Sequence, residues 1–192
     1  SNQVYSVSID NSDNVWIGTY RGLARFDGAN WTTFTTENSD LPFDYIYSIL
    51  LDDSGNHWIG TYGGGLTKFD GANWTACVTS NCGLPSNSVS SIVFDNNGDK
   101  WFATSGGVAR FDGVNWTAYT ESNSDLPDNS VSEIAFDSAG NAWIGTQNGI
   151  AKFDGTHWTV YTNSNTSLPS DQVFSLKVDK NDNIWIGIFG GL

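Results

Sequence analysis

Few side chains in this sequence have the type and spacing needed for catalysis. The two histidines, His57 and His157, have no repeated acid or nucleophile beside them, and we expect both to lie on the surface. No segment forms a nucleophile elbow or a phosphate-binding glycine loop. No residue can therefore be assigned a catalytic role, and we predict that the protein is not an enzyme.

Oxygen-bearing side chains alternate in two short segments, which suggests calcium as a ligand. The segments Asp95–Asp99 and Asp179–Asn183 place such side chains at every second position, as in the start of a calcium loop. The distal bidentate glutamate that completes such a loop is missing, and similar segments recur along the chain as tight turns would. We therefore predict neither a metal ion nor a cofactor.

The two cysteines, Cys77 and Cys82, stand close together in one segment of the chain. They either form a local disulfide across a turn or remain two independent thiols. A metal site is poorly supported, because two cysteines without a nearby histidine supply too few ligands. A disulfide in a chain with few lysines indicates an exported protein, either extracellular or periplasmic.

A repeat of about 42 residues must position all of these groups. The first tryptophan of each repeat opens a segment similar to Trp-Ile-Gly-Thr, and the second follows a Phe-Asp-Gly turn. These two positions account for all nine tryptophans of the chain. The first recurs at 16, 58, 101, 143 and 185, and the second at 31, 74, 116 and 158. A fixed period of this length is the signature of a repeat architecture.

Each repeat contains four short apolar segments separated by turn residues. In the first repeat they are Val4–Ile9, Val15–Thr19, Leu23–Phe26 and Trp31–Thr35, which we predict to be strands A to D. Proline occurs only at 42, 85, 127 and 169, in the loop between repeats. The fold class is therefore predicted to be an all-β propeller of four-stranded antiparallel blades, four complete and one half blade with strands A and B only.

The sequence motifs of the repeat resemble those of a known family. Gly55-Asn56-His57-Trp58-Ile59-Gly60-Thr61, followed by Lys-Phe-Asp-Gly, Trp-Thr and Leu-Pro, resembles the two-component regulator propeller repeat over essentially the whole chain. The resemblance implies a role like that of the sensor regions of hybrid histidine kinases, which are periplasmic. Such repeats also occur in other exported bacterial proteins.

Residues found in every repeat are expected to be needed for the structure of the blade, whereas residues that differ between repeats can take part in function. By this test the tryptophans are packing residues between blades. The basic residue before each Phe-Asp-Gly turn, as in Arg25, is expected to pair with the adjacent aspartate on the surface. The variable positions lie mainly in the B–C and D–A loops, which open on the same face of a propeller.

We predict that ligand-binding residues lie on this variable face. Aromatic rings stack on the apolar face of a sugar while amides and charged groups contact its hydroxyls. The candidates are Tyr20, Arg21, Tyr45, Tyr62, Gln147 and Phe189. A glycan or peptide ligand is expected, and ordinary loop variation is the alternative. The alternative function is a structural or assembly scaffold without a small ligand.

The formal net charge of −13 disfavours nucleic acids and anionic membrane surfaces as partners. No run of 18 apolar residues is present, so we predict no membrane insertion.

We expect residues 1–192 to be a single repeat array that forms an arc of a longer chain. The first segment matches the start of strand A but lacks the preceding Leu-Pro, and the last repeat stops after strand B. Further blades, or self-association with another chain, would then complete the ring. Packing of Val4–Ile9 against the half blade near Trp185 would instead close five units within one chain.

Overall fold

The computed structural model describes residues 3–188, and all their regular elements are β-strands. No helix in this part of the chain is long and apolar enough to cross a membrane. The strands of the first two repeats are β1 (Val4–Ile9), β2 (Val15–Thr19), β3 (Gly22–Phe26), β4 (Trp31–Phe34), β5 (Ile46–Leu51), β6 (His57–Thr61), β7 (Leu66–Phe69) and β8 (Trp74–Cys77). Those of the remaining repeats are β9 (Val89–Phe94), β10 (Lys100–Thr104), β11 (Gly107–Phe111), β12 (Trp116–Tyr119), β13 (Val131–Phe136), β14 (Ala142–Thr146), β15 (Gly149–Phe153), β16 (Trp158–Tyr161), β17 (Val173–Val178) and β18 (Ile184–Ile188).

The strands form four four-stranded sheets and one two-stranded sheet, each in simple sequence order. We call the four-stranded sheets blades 1 to 4 and the pair β17–β18 the half blade. All recorded pairings are antiparallel, as in β1 with β2 and β17 with β18. The predicted all-β propeller class, with four full blades and a half blade, is confirmed. Strand C begins one residue earlier than predicted in blade 1, and strand D ends one residue earlier.

The chain divides into two compact units, one ending at Ile92 and the other beginning at Val93. In the first unit, the core consists of Trp16, Leu23, Leu41, Ile46, Ile49, Ile59 and Phe69. A core of the second unit contains Trp101, Val108, Leu126, Val131, Ile134, Ile144 and Phe153. In each unit, residues of strands A, B and C from adjacent blades supply most of this apolar surface.

The glycine of strand B lets strand A of the next blade approach closely. A Cβ atom added to Gly18 would lie 2.7 Å from the Ile46 side chain, closer than real Cβ contacts permit. In the second unit, a Cβ on Gly145 would lie 2.6 Å from Val173. The glycine is therefore part of the packing between adjacent blades, as the repeat pattern indicates.

The A–B turn of each blade is tied to the strand-B tryptophan by an aspartate. Asp10 accepts a 2.8 Å hydrogen bond from the Trp16 indole and also accepts the Ser12 and Asn14 backbone amides. Partial burial would raise the pKa of Asp10, but the hydrogen bonds from Trp16 and Asn14 outweigh it and lower the pKa to about 2. The first aspartate of these turns is therefore a structural acceptor.

Two of the nine tryptophans do not pack between blades, contrary to prediction. Trp16 is 2% exposed, whereas Trp31 is 58% and Trp185 56% exposed. Trp74, the equivalent of Trp31 in blade 2, lies against Phe34 of blade 1 with ring centroids 5.6 Å apart. Trp31 belongs to blade 1, and residues 3–188 contain no blade before it in the sequence. They also contain no blade after the half blade, which carries Trp185. Both rings are therefore exposed rather than packed between blades.

The predicted ion pairs beside the Phe-Asp-Gly turns are not found among the described residues. Antiparallel pairing sets Arg25 opposite Trp16, and its guanidinium lies over the indole at 5.8 Å from the ring centroid. Arg110 and Lys152 lie in the same way over Trp101 and Trp143. Asp27 instead accepts the backbone amides of Ala29 and Asn30, because a tight turn needs those acceptors.

Cys77 and Cys82 form a disulfide across the turn after β8, with Cα atoms 5.7 Å apart. Cys77 ends strand D of blade 2, so the bond fixes the start of the D–A loop to the end of its strand. The disulfide interpretation of the sequence is confirmed, and the alternative of two free thiols is excluded in this structure.

Candidate functional site

A cavity of about 530 Å³ opens on the face formed by the B–C and D–A loops of the first unit. It is lined by Tyr20, Arg21, Thr36, Phe43, Asp44, Tyr45 and Tyr62. Its volume falls within the range of small-molecule sites, and most of its lining is aromatic. Four of the six predicted ligand-binding residues, Tyr20, Arg21, Tyr45 and Tyr62, therefore lie around one cavity.

Three tyrosines line this cavity, and two more contact the ring of Tyr45 beside it. We call these five residues, Tyr5, Tyr20, Tyr45, Tyr47 and Tyr62, the tyrosine cluster. Tyr45 is at its centre, with ring centroids at 4.7 Å from Tyr20, 4.8 Å from Tyr47 and 4.9 Å from Tyr5. The Tyr62 ring lies 5.4 Å from that of Tyr45. The rings are tilted or edge-on to one another, which are favourable arrangements for aromatic pairs. The cluster joins blades 1 and 2, and Tyr20 and Tyr62 in it are about half exposed.

Tyr5 and Tyr47 were not among the predicted residues, because they belong to strand A. Each occupies the irregular position of its ladder, where the register shifts between Val4 and Ser6 and between Ile46 and Ser48. A bulge of this kind leaves one residue unpaired and redirects its side chain. The sequence did hold a signal, since Ser90 and Ser132 stand at the same position in blades 3 and 4.

The B–C turn of blade 1 fixes Tyr20 and Arg21. The Thr19 hydroxyl donates to the Gly22 carbonyl at 2.9 Å and accepts the Arg21 amide at 3.0 Å. The Gly22 amide also donates to the Asp44 carbonyl, which ties this turn to the D–A loop. The backbone beneath the two side chains is therefore held while the Tyr20 side chain remains 50% exposed.

The B–C turn of blade 2 is one residue longer and is shaped to receive Phe43. A Cβ on Gly64 would lie 2.6 Å from the Phe43 Cβ, so only glycine permits this approach. The neighbouring Gly63 has a φ of 136°, a conformation that other residues rarely adopt. The Tyr62 amide donates to the Tyr45 carbonyl at 3.0 Å. This turn therefore places Tyr62, Phe43 and Tyr45 on the same rim.

The carboxylate of Asp44 is used by the loop itself. It accepts the Thr36 backbone amide at 2.7 Å and the Thr36 hydroxyl at 3.3 Å. Asn87 and Asn129 accept the corresponding amides in the next two D–A loops, at 2.8 and 2.9 Å. An uncharged amide performs the same role, so the charge of Asp44 is not required by the loop.

The phenols at the centre of the cluster retain their protons at neutral pH. The hydrogen bond with Tyr45 and desolvation raise the pKa of Tyr5. For Tyr45, the hydrogen bond with Tyr5 lowers the pKa, but desolvation and the hydrogen bond with Tyr47 outweigh it, and the pKa is raised. Both phenols are therefore neutral hydrogen-bonding groups, and both are already hydrogen-bonded within the cluster.

The remaining two predicted residues do not belong to this cavity. Gln147 lies in the second unit, where its Oε1 accepts a 2.6 Å hydrogen bond from Gln172 Nε2. Beside it, Asn148 donates to Asp128 at 2.7 Å. Gln147 is thus hydrogen-bonded to the loop that follows blade 4. Phe189 lies outside the described residues.

His57 is buried, contrary to the expectation of a surface residue, while His157 is exposed as expected. The His57 ring lies 4.1 Å from that of Trp16, and its Nε2 is 4.0 Å from Asp10 Oδ2. Neither ring nitrogen has a hydrogen-bond partner among the described residues. A cavity of about 200 Å³ adjoins it, at the A–B turns of blades 1 and 2. Burial lowers the pKa of His57, despite the opposing charges of Asp10 and Asp52.

Residues 3–188 contain no group of three histidine, cysteine or acidic side chains arranged to bind a metal ion. In the turns considered for calcium, the first aspartate is already engaged. Asp95 and Asp179 accept the indoles of Trp101 and Trp185 at 3.0 and 3.1 Å, in addition to backbone amides of their own turns.

Successive four-stranded antiparallel sheets with aromatic contacts between adjacent blades define the β-propeller class. Within it, the model of the two-component regulator propeller matches residues 1–21, 40–63, 83–106, 125–148 and 167–190, more than half of the chain. The chain belongs to this family. No match to a curated protein was found.

Solved structures similar to this chain include extracellular regions of bacterial regulators. The structure described as the extracellular domain of the hybrid two component system BT3049 from B. thetaiotaomicron is 26% identical, with a TM-score of 0.88. The structure described as the extracellular domain of the one component system BT4673 from the same organism is 22% identical, with a TM-score of 0.82. The match covers 98% and 100% of this chain but 27% of each of those chains. This chain therefore spans about a quarter of either domain.

Virginiamycin B lyase from Staphylococcus aureus also shares the fold, at 15% identity and a TM-score of 0.73 over 96% of this chain and 62% of that enzyme. Propellers similar in fold to this chain thus include both regulator domains and an enzyme. BT3049 and BT4673 are both described as extracellular domains, and the disulfide of this chain is typical of proteins outside the reducing cytosol.

Proposed function

We propose that the chain is part of an exported, extracellular or periplasmic, sensor-type propeller that binds a glycan at the tyrosine cluster. The observation that carries this proposal is the cavity of about 530 Å³, with the aromatic rings of two adjacent blades around it. Rings at this exposed rim offer flat apolar surface to a sugar, and the phenols offer hydrogen bonds.

The repeat supports a functional rather than a structural origin for the cluster. The positions of Tyr20 and Tyr62 carry Ser105 in blade 3 and Gln147 in blade 4, yet those blades form the same strands and turns. The positions of Tyr5 and Tyr47 carry serine in both. Five tyrosines at positions that blades 3 and 4 fill with polar residues are not needed for the blade.

We assign no catalytic role to this cavity. Its lining consists of tyrosines, Phe43, Arg21, Thr36 and Asp44, with no histidine or cysteine among them. The acid Asp44 is engaged by Thr36, so the lining offers no nucleophile activated by a base. The similarity to virginiamycin B lyase is one of fold and provides no catalytic residue here.

A glycan array followed by calorimetry tests the proposal, with the 192-residue chain and the variant Tyr20→Ala/Tyr62→Ala. We expect the variant to lose binding by about tenfold or more, because stacked aromatic rings contribute of order 1 kcal/mol each. Phe174→Ala is the matched control, since Phe174 is an exposed aromatic at the same strand position as Tyr5 but in the half blade. No bound glycan, or equal loss in the control, would contradict glycan binding at this cluster.

The alternative is an assembly or scaffold role, and one observation favours it. The outer face of blade 1 exposes Val4, Val7, Ile9 and Trp31, all of them apolar. Exposed contiguous apolar surface of this kind is typical of an interaction site. Self-association without any glycan binding would support this function instead.

A further inference from the structure

We propose that Arg21 makes the tyrosine cluster selective for saccharides that carry an isolated acidic group, a carboxylate or a sulfate. This inference rests on the proposed function and specifies the substrate class of the same site. It concerns one cation and the aromatic surface next to it, both lining the same cavity.

Arg21 is the basic residue of this cavity, and the blade does not require it. The corresponding residues in blades 3 and 4 are Gly106 and Asn148, and their B–C turns form the same hydrogen bond to the preceding threonine. Arg25, Lys68, Arg110 and Lys152, by contrast, recur in every full blade. The charge at position 21 is thus specific to the tyrosine cluster.

The guanidinium of Arg21 forms no ion pair with an acid among the described residues. The ion pairs found within residues 3–188 do not include Arg21. Asp44 lines the same cavity without forming an ion pair with Arg21, and its two oxygens accept hydrogen bonds from Thr36. A ligand anion would therefore meet an exposed cation whose backbone is already fixed by Thr19.

The chemistry of the two groups specifies the ligand. A guanidinium presents a planar fork of N–H donors that matches the two oxygens of a carboxylate or sulfate, which a neutral hydroxyl does not. The adjacent rings of Tyr20 and Tyr62 are about half exposed and can stack on the sugar that carries the acid. A saccharide with one acidic substituent satisfies both requirements at once.

The net charge of the chain restricts this class further. With a formal charge of −13, the protein repels a densely charged polyanion before the polyanion reaches Arg21. An isolated acid on an otherwise neutral saccharide experiences much less of this repulsion. The site is therefore suited to sparsely charged glycans rather than to polyuronates or heavily sulfated chains.

Calorimetry with three ligands that share one neutral core tests this inference: lactose, 3′-sialyllactose with one carboxylate, and 3′-sulfolactose with one sulfate. We expect the wild-type chain to bind at least one of the acidic ligands about tenfold more tightly than lactose. Comparing the two acids distinguishes carboxylate from sulfate recognition. In Arg21→Gln, the preference should disappear while weak binding of lactose persists, and Arg21→Lys should retain part of it.

Lys180→Gln is the control for net charge, because it removes the same charge at an exposed position in the half blade. It should leave the acid preference unchanged. Equal affinity for lactose and both acids, or an acid preference that survives in Arg21→Gln, would overturn this inference and leave glycan binding intact. If none of the three ligands nor any glycan of the array binds, both the inference and the proposed function fail.

Discussion

The indole Nε1 of Trp58 donates a 2.8 Å hydrogen bond to Oδ2 of Asp52, which lies at the start of the turn before its strand. The same bond joins Asp10 to Trp16, Asp137 to Trp143 and Asp179 to Trp185. Each such aspartate also accepts backbone amides of its own turn. One carboxylate in each repeat therefore links the A–B turn to the tryptophan of strand B.

Asp52→Ala should lower the free energy of unfolding by about 1–3 kcal/mol, because it leaves the indole and the turn amides of Ser54 and Asn56 without their acceptor. Asp52→Asn keeps one acceptor oxygen and should cost less. Urea unfolding followed by tryptophan fluorescence measures both. Equal stability of wild type and Asp52→Ala would show that the linkage contributes nothing.

This linkage shows what the sequence could and could not predict. The strands followed directly from the tryptophan period and the turn residues, because local β-propensity and turn chemistry agree in every repeat. The Asp–Trp bond was missed, since an oxygen-rich turn has the composition of a calcium loop. The partner of its carboxylate becomes visible only when the turn and the indole are placed together.

The candidate site was likewise only partly predictable from the sequence. Tyr20, Tyr45 and Tyr62 were predicted because they vary in loops, whereas Tyr5 and Tyr47 were missed because they stand in a strand. Their orientation depends on a bulge, which the sequence pattern does not reveal. His57 was wrongly expected at the surface, because Val15 and Lys100 at its position suggested no consistent burial.

The two tryptophans of blade 1 provide a matched pair for stability. Trp16→Ala should lower the free energy of unfolding by about 3–5 kcal/mol, because the ring is almost fully buried between blades 1 and 2. Trp31→Ala should cost much less, since Trp31 is exposed and stacks only on Phe26 among the described aromatic contacts. Denaturant midpoints compare the two. Equal losses would contradict the burial that distinguishes them.

The disulfide can be removed by reproducing the residues of another blade. The double variant Cys77→Tyr/Cys82→Ser carries the residues found at Tyr119 and Ser124 in blade 3, so both side chains suit the repeat. The chain-entropy model predicts a loss of about 2 kcal/mol for a loop this short. Thermal unfolding with and without reductant measures it. The variant should be insensitive to reductant, and a wild type equally insensitive would contradict a stabilising role.

His57 should make stability depend on pH in a defined window. Its pKa is lowered by burial, with Asp10 and Asp52 opposing and Arg25 reinforcing the shift. The unfolded state therefore binds a proton more readily than the folded state does. The stabilisation is complete above the unfolded pKa of about 6.5 and is lost as pH falls from there through the folded value.

Melting temperatures measured from pH 8 to pH 5 test this expectation. His57→Val, which restores the residue found at Val15 in blade 1, should flatten the fall between pH 7 and pH 5. His157→Asn, which restores the residue found at Asn30, should not change it because His157 is exposed. An unchanged pH profile in His57→Val would show that burial of this imidazole is not the source of the dependence.

The outer face of blade 1 carries apolar residues at the positions whose counterparts are buried in blade 2. Val7 is 58% exposed, whereas its counterpart Ile49 in blade 2 is 7% exposed. Val4 is likewise exposed where Ile46 is buried. Blade 1 therefore exposes the same apolar surface that is buried against a neighbouring blade in blade 2. Completion of the array by a further blade or another chain stays a prediction.

The isolated 192-residue chain should consequently self-associate through this face. The double variant Val4→Thr/Val7→Thr keeps strand propensity but removes apolar surface, and burial of one valine-sized side chain contributes about 1.5–3 kcal/mol. We therefore expect association to weaken by roughly tenfold or more, measured by sedimentation equilibrium over a range of concentrations.

The measurement should be made at moderate salt, because a net charge of −13 opposes association at low salt. Val114→Thr, at an exposed turn position, is the control and should change nothing. A wild-type chain that stays monomeric throughout would contradict the prediction, as would equal association of the double variant.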